Sequence, residues 1–218
     1  HVLKTPLSSI KVLSESLLLQ EDVPAEMYRE FLLDISSEID RMTNIVNDLL
    51  ALVRNDPNEA KLNVTDIDVN KMLRDIVKRL SPLASDKNID LSFQAAKDVV
   101  LMGDEVKLSL AVSNLVDNGI KYTPEGGYVK VMLDADSKDC FITVQDSGIG
   151  ISEEEQTKVF ERFYRVDKTR DRETGGTGLG LAITHSIIML HNGSVKIISG
   201  KNEGATFIVR LPLERKEE

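Results

Sequence analysis

Between Glu26 and Val53 apolar residues recur every third or fourth position, as Phe31, Leu32, Ile35, Ile39, Met42, Ile45, Val46, Leu49, Leu50 and Val53. An α-helix turns once in about 3.6 residues, so this spacing lines a single face and predicts one long helix with a bundle or coiled-coil seam. Upstream, Leu3, Leu7, Ile10, Leu13 and Leu17 repeat the pattern and predict a first helix to Leu19. Residues 20–25 break it, and Pro24 suits the opening turn of the second helix. Two helices with such wide apolar faces cannot bury them on each other alone. The expected remedy is a homodimer that closes a four-helix bundle. At about 1.5 Å per residue the second arm outruns the first by roughly a dozen ångströms. With no initiator Met, the chain is expected to be a piece of a longer protein whose first helix continues upstream.

The helical pattern ends at Asn55, Asp56, Pro57 and Asn58, a turn-forming group that opens a polar stretch. The expected division is therefore a hairpin at 1–56, a linker at 57–63 and a second domain at 64–218. In that domain short strands are expected at Val64–Val69, Ile89–Gln94, Val99–Met102, Tyr128–Asp134, Cys140–Gln145, Ser194–Ser199 and Ala205–Leu211. Helices are expected between them: one capped by Asn70 and running to Lys87, one from Asp104 to Tyr122, a short one near Glu153–Phe160, and one from Gly178 to His191. Paired strands with helices between them predict an α+β sandwich, one mixed sheet with helices on one face. The stretch from about 146 to 177 is long, charged and bracketed by glycines, so it is expected to be a lid over a ligand.

Composition removes several classes. The net charge of −9 speaks against a nucleic-acid surface, and no apolar run approaches the roughly 20 residues that span a bilayer. A single cysteine, Cys140, rules out an internal disulfide framework and reads as a small core residue. His185 and His191, in the last helix without metal-ligand company, read as helix-surface residues.

Three motifs flank the lid. On the helix ending at Tyr122, Asn114, Asn118 and Lys121 share one face, with Tyr122 a step round, because residues three and four apart stack. An amide oxygen is a hard ligand suited to Mg²⁺, and Lys121 supplies a point charge for phosphate, although a polar helix face would look the same. At a strand end, Asp146 can accept from the exocyclic amine of adenine while Gly148 and Gly150 let backbone approach a base; ordinary turn chemistry gives the same pattern. The run Gly175, Gly176, Thr177, Gly178, Leu179, Gly180 opens a helix and leaves amides free for phosphate oxygens. It is neither a P-loop nor a dinucleotide fingerprint, since no Lys-Ser/Thr follows and no βαβ unit surrounds it. Between the last two, Phe160, Phe163 and Tyr164 can dock the lid while Arg162 or Arg165 reaches phosphate.

In this order and spacing, the motifs resemble the N, G1, F and G2 boxes of the sensor histidine kinases of two-component systems, and His1 to Leu7 (HVLKTPL) resembles their phosphoacceptor box. The resemblance covers essentially the whole chain and implies a dimerisation and histidine-phosphotransfer hairpin followed by a Bergerat-type ATP-binding domain. It implies that His1 is the phosphoacceptor and that Asn118 holds Mg²⁺ with Asn114 beside it. Lys121, Tyr122, Arg165 and the backbone of Gly176 to Gly180 would contact phosphates and ribose, and Asp146 and Gly150 would recognise adenine. The phosphoryl group would pass to an Asp of a response-regulator receiver domain, which Thr5, one turn after His1, would help dephosphorylate by orienting water. The resemblance further implies the cytoplasmic portion of a membrane-bound bacterial sensor, with the membrane segment upstream.

Relatives with the same nucleotide fold that hydrolyse ATP carry a Glu where Asn114 stands. An amide cannot take a proton from water at neutral pH, so Asn114 disfavours a hydrolytic clamp. Two positions depart from the kinase pattern. Val2 replaces the acidic residue that serves as general base beside the His, and such help is typically worth 10²–10⁴-fold, so weak autophosphorylation is expected. That keeps open a degenerate kinase acting mainly as a nucleotide- and regulator-binding module. Gly119 stands where Ala is commoner and should loosen its helix by somewhat under ~1 kcal/mol. Pro6 should bend the first helix beside the acceptor.

Overall fold

The structure, a computed structural model, describes residues 3–19, 24–54, 61–166 and 176–214. His1 and Val2 lie outside them, as do residues 167–175 of the expected lid and 55–60 of the linker region.

Helix α1 (Lys4–Leu18) and helix α2 (Ala25–Arg54) pack together as a hairpin. Pro6 falls in the first turn of α1, where its missing N–H has no helical acceptor to lose, and it is buried. Within the described residues α1 runs on from Pro6 unbroken to Leu18. The apolar stripe of α2 divides. Leu52 is buried in the core of the following domain, and Leu49 and Ala51 pack against that core. Leu32, Ile39, Val46, Leu50 and Val53 stay exposed, as does Leu7 on α1.

The second half builds β1 (Thr65–Asp68), α3 (Val69–Asp86), β2 (Asp90–Ala95), β3 (Val100–Gly103), α4 (Glu105–Tyr122), β4 (Tyr128–Ala135), β5 (Asp139–Asp146), α5 (Glu153–Gln156), α6 (Gly180–Leu190), β6 (Ser194–Ser199) and β7 (Ala205–Pro212). Five strands form a mixed sheet in the order β2-β4-β5-β7-β6, with β2 and β4 parallel and the other pairs antiparallel. Strict alternation decides which face is inside. Val129, Val131 and Leu133, then Cys140, Ile142 and Val144, then Phe207, Val209 and Leu211 all point to the helix layer of α3, α4 and α6. The helical hairpin followed by an α+β sandwich matches the expectation.

Four details differ from the sequence reading. β1 and β3 pair antiparallel, Thr65 opposite Gly103, as a separate two-stranded sheet instead of joining the main one. Asp68, not Asn70, caps α3 by accepting from the Lys71 N–H at 2.9 Å. Asn70 is buried and ties α3 to the segment leading into β3, donating to the Lys97 carbonyl and accepting from the Val99 N–H. His191 is buried rather than on the surface: its Nε2 accepts from the Asp104 N–H at 3.0 Å and its Nδ1 lies 2.8 Å from the Ile187 carbonyl. That bond ties the end of α6 to the start of α4. His185 is exposed, with its ring beside Phe160. Helix α5 covers only Glu153–Gln156, and turns follow it to Phe163.

Candidate active site

Helix α4 positions most of the polar side chains. Asp104 caps it, accepting from the Lys107 N–H at 3.1 Å, and Leu108, Ala111, Val112, Leu115, Val116 and Ile120 bury one face against the sheet. The opposite edge is thereby turned outward, carrying Asn114, Asn118, Lys121 and Tyr122 along one wall of a cleft of about 420 Å³. This volume lies within the roughly 300–1,000 Å³ typical of small-molecule sites. Helix α6 runs beside α4, and the register is fixed by buried Thr184 donating to the Ala111 carbonyl and by Asn114 Nδ2 donating to the Gly180 carbonyl at 3.2 Å. With its amide nitrogen so engaged, Asn114 keeps its oxygen as an acceptor.

At the end away from the glycine run, Asp146 closes β5. Its Oδ1 accepts from the N–H groups of Gly148 at 2.8 Å and Ala205 at 3.2 Å. No described residue donates to Oδ2, which is left as an acceptor on a residue that lines the cleft. Burial raises the Asp146 carboxyl, and the two N–H bonds hold it back. Ile149, Ile151, Val159, Ala205 and Phe207 line the cleft with it and supply an apolar surface on which a flat heterocycle can rest. Gly150 has φ of +68°, and a Cβ there would stand 1.9 Å from the Gly200 carbonyl oxygen, so the turn admits no side chain.

At the other end Gly176, Thr177, Gly178 and Gly180 come against α4. A Cβ on Gly176 would lie 2.7 Å from Lys121 Nζ, and the Arg165 guanidinium donates to the Gly176 carbonyl at 2.6 Å. This end therefore concentrates cations and backbone amides. Burial lowers the Lys121 pKa, Arg165 lowers it further, and Asp117 acts against both. Asp117 keeps an exposed surface, yet the cleft walls exclude enough water to raise its carboxyl, with Lys121 opposing.

Of the residues expected in the site, Asn114, Asn118, Lys121, Tyr122, Asp146, Gly150, Tyr164, Arg165, Gly176, Thr177, Gly178 and Gly180 all line this one cleft. Three do not. Arg162 is exposed away from it, Gly148 serves the turn that holds Asp146, and Leu179 buries its side chain in the core while its N–H donates to the Thr177 hydroxyl. Thr5 is exposed on α1. Sequence reading missed Asp117 and the apolar wall. It also missed Asn44, Asn47 and Asp48 of α2, which line the cleft from the hairpin side. Their spacing of three and four puts them on one polar face of α2, opposite its apolar stripe, and was the available signal. Among the described residues no cluster of three or more His, Cys, Asp or Glu could hold a metal. The donors that fit one are the amide oxygens of Asn118 and Asn114, beside the phosphate-seeking cations.

A deep cleft with a lone buried carboxylate and apolar wall at one end, and glycine amides, Lys and Arg at the other, is the site of a nucleotide-binding protein. Comparison with known proteins identifies the class. Residues 103–215 match the model of the histidine kinase-, DNA gyrase B- and HSP90-like ATPases, and residues 1–58 match the His kinase A phosphoacceptor domain. The chain belongs to the sensor histidine kinase family. It is 37% identical over 212 residues to the sensor-like histidine kinase SenX3 of Mycobacterium tuberculosis, covering 97% of this chain and 52% of that protein. It is 39% identical over 215 residues to the phosphate regulon sensor protein PhoR of Pseudomonas aeruginosa, covering 95% of this chain and 47% of that one. The chain thus spans about half the length of the curated relatives it matches. Among solved structures, histidine kinase ThkA in complex with the response regulator protein TrrA shares the fold, with a TM-score of 0.79 at 24% identity over 97% of this chain and 58% of that one.

Proposed function

We propose that this chain is the ATP-dependent core of a protein-histidine kinase that phosphorylates His1 and passes the phosphoryl group to an aspartate of a response-regulator receiver domain. The observation that carries the reading is the convergence of Asn118, Lys121, Arg165 and the Gly176–Gly180 backbone on one end of the cleft that Asp146 closes at the other.

ATP enters as the phosphoryl donor. Asp146 Oδ2 accepts from its exocyclic amine, and Ile149, Ile151 and Phe207 exclude water from the base. Asn118, with Asn114 beside it, would hold Mg²⁺, which would supply positive charge to neutralise the phosphates. Lys121, Arg165 and the amides of the glycine run stabilise the charge that builds on the transferred group. His1 supplies a neutral imidazole nitrogen as acceptor, since the reference pKa of about 6.5 leaves most His neutral at pH 7. Asn114 in place of a carboxylate argues against activating water, hence for transfer rather than hydrolysis. Val2 offers no general base, so the rate is low rather than absent. Thr5, exposed on α1, is available to orient water for dephosphorylating the regulator.

The exposed stripe of Leu7, Leu32, Ile39, Val46, Leu50 and Val53 supports a homodimer closed through the hairpin. The kinship with proteins named sensors, about twice as long, supports a place as the cytoplasmic portion of a membrane-bound bacterial sensor. Among the described residues no helix is long and apolar enough to cross a membrane.

Asn118→Asp tests the pocket. It should abolish saturable Mg-ATP binding while the melting temperature holds. Unaltered affinity would remove the assignment of this cleft.

A further inference from the structure

The hairpin does more than carry the acceptor. Asn44, Asn47 and Asp48, on one face of α2, line the nucleotide cleft together with the polar residues of α4. Asp48 Oδ2 accepts the Thr177 hydroxyl proton at 2.5 Å, while the same hydroxyl accepts from the Leu179 N–H at 3.2 Å. We propose that Asp48 makes the cleft, with the hairpin docked as here, selective for a nucleoside diphosphate over a triphosphate. The proposal rests on the nucleotide reading of the cleft.

A hydroxyl has one proton to give. Thr177 gives it to Asp48, so a phosphate oxygen that takes this donor must displace the carboxylate. Among the described residues no cation pairs with Asp48. Asp48 therefore adds a carboxylate, unpaired among the described residues, to the end of the cleft where Gly176, Lys121 and Arg165 meet, and offsets part of the positive charge that draws phosphates there. Two like charges a few ångströms apart in a partly dry cleft repel by kilocalories rather than tenths, and each further anionic phosphate adds to the penalty. Burial raises the Asp48 carboxyl, and the hydrogen bond from Thr177 holds it back. The arrangement depends on docking. Asp48 is held at the cleft because Leu52, one turn on, is buried in the core of the ATP-binding half.

The test is competition titration of Mg-ADP and a non-hydrolysable Mg-ATP analogue against a fluorescent nucleotide on the whole chain, at equal Mg²⁺ excess. Asp48→Asn keeps an acceptor for Thr177 but removes the charge. It should tighten the triphosphate relative to the diphosphate by about five- to tenfold. Leu52→Ala, which loosens docking without touching the cleft, should move the ratio the same way. An unchanged ratio in Asp48→Asn overturns the proposal. So does weaker triphosphate binding, which would make Asp48 a ligand of the metal or its waters. If neither nucleotide binds the native chain, the nucleotide reading itself fails, and that outcome is distinct from both.

Discussion

Asp146→Asn isolates base recognition from folding. In the native cleft one carboxylate oxygen is used structurally, accepting from Gly148 and Ala205, and the other is left for the ligand. An Asn can keep Oδ1 on both N–H groups, but then Nδ2 presents a donor where the adenine amine also presents one. The lost bond to a charged acceptor is worth about 1.5–3 kcal/mol, a fall in ATP affinity of roughly 10- to 150-fold. The fold should be nearly indifferent, because the carboxyl it replaces is already disfavoured by burial. The substitution should also shift preference towards inosine triphosphate, whose carbonyl can accept from Nδ2. Native ATP affinity should fall as pH drops through the raised Asp146 pKa, since only the carboxylate accepts in the required way, and Asp146→Asn should erase that acid limb. Calorimetric titration with both nucleotides, beside a melting curve, reads all of this. Equal ATP affinity and an unmoved ATP-to-inosine-triphosphate ratio at an unchanged melting temperature would refute the assignment of the base end.

Two further outcomes follow from the same geometry. Burial and Arg165 lower the Lys121 pKa, so phosphate affinity should weaken as pH rises through that lowered value, and Lys121→Arg, charged throughout, should flatten this alkaline limb of a binding profile. Gly150→Ala forces a side chain into a left-handed turn and against the Gly200 carbonyl. The conformation alone costs about 1–2 kcal/mol, and each kilocalorie should lower the melting temperature by roughly 2–4 °C. A melting curve that does not move would show that the turn relaxes freely.

The readable parts of this chain are those fixed by local rules. The α4 boundary follows from Asp104, and the sheet strands follow from alternation through Val129 to Leu133 and Cys140 to Val144. Within α4 the face shared by Asn114, Asn118 and Lys121 needs only helical geometry. Misreadings arise where a local rule leaves two candidates and a tertiary contact chooses. Asp68 and Asn70 are both of a type that caps helices, but the Lys97–Val99 segment recruits Asn70 and leaves the cap to Asp68. His191 looks like any polar residue at a helix end, yet the Asp104 N–H needs an acceptor and draws it inside. Arg162 and Arg165 share a motif, and only the turns after α5 decide which one reaches the cleft. Asp48 shares a polar face of α2 with Asn44 and Asn47, but which surface that face meets depends on how α2 lies on the ATP-binding half.

Delivery of a phosphoryl group from this cleft to His1 can be measured directly. The direct measurement is incubation with Mg-ATP labelled at the γ-phosphate, followed by mapping of acid-labile, base-stable label, on the native chain, Val2→Glu and His1→Gln. Slow labelling confined to His1 is expected, with a rate increase of about 10²–10⁴-fold in Val2→Glu and no label in His1→Gln. Steady release of phosphate with no label on His1 in either His1-containing form would contradict that delivery.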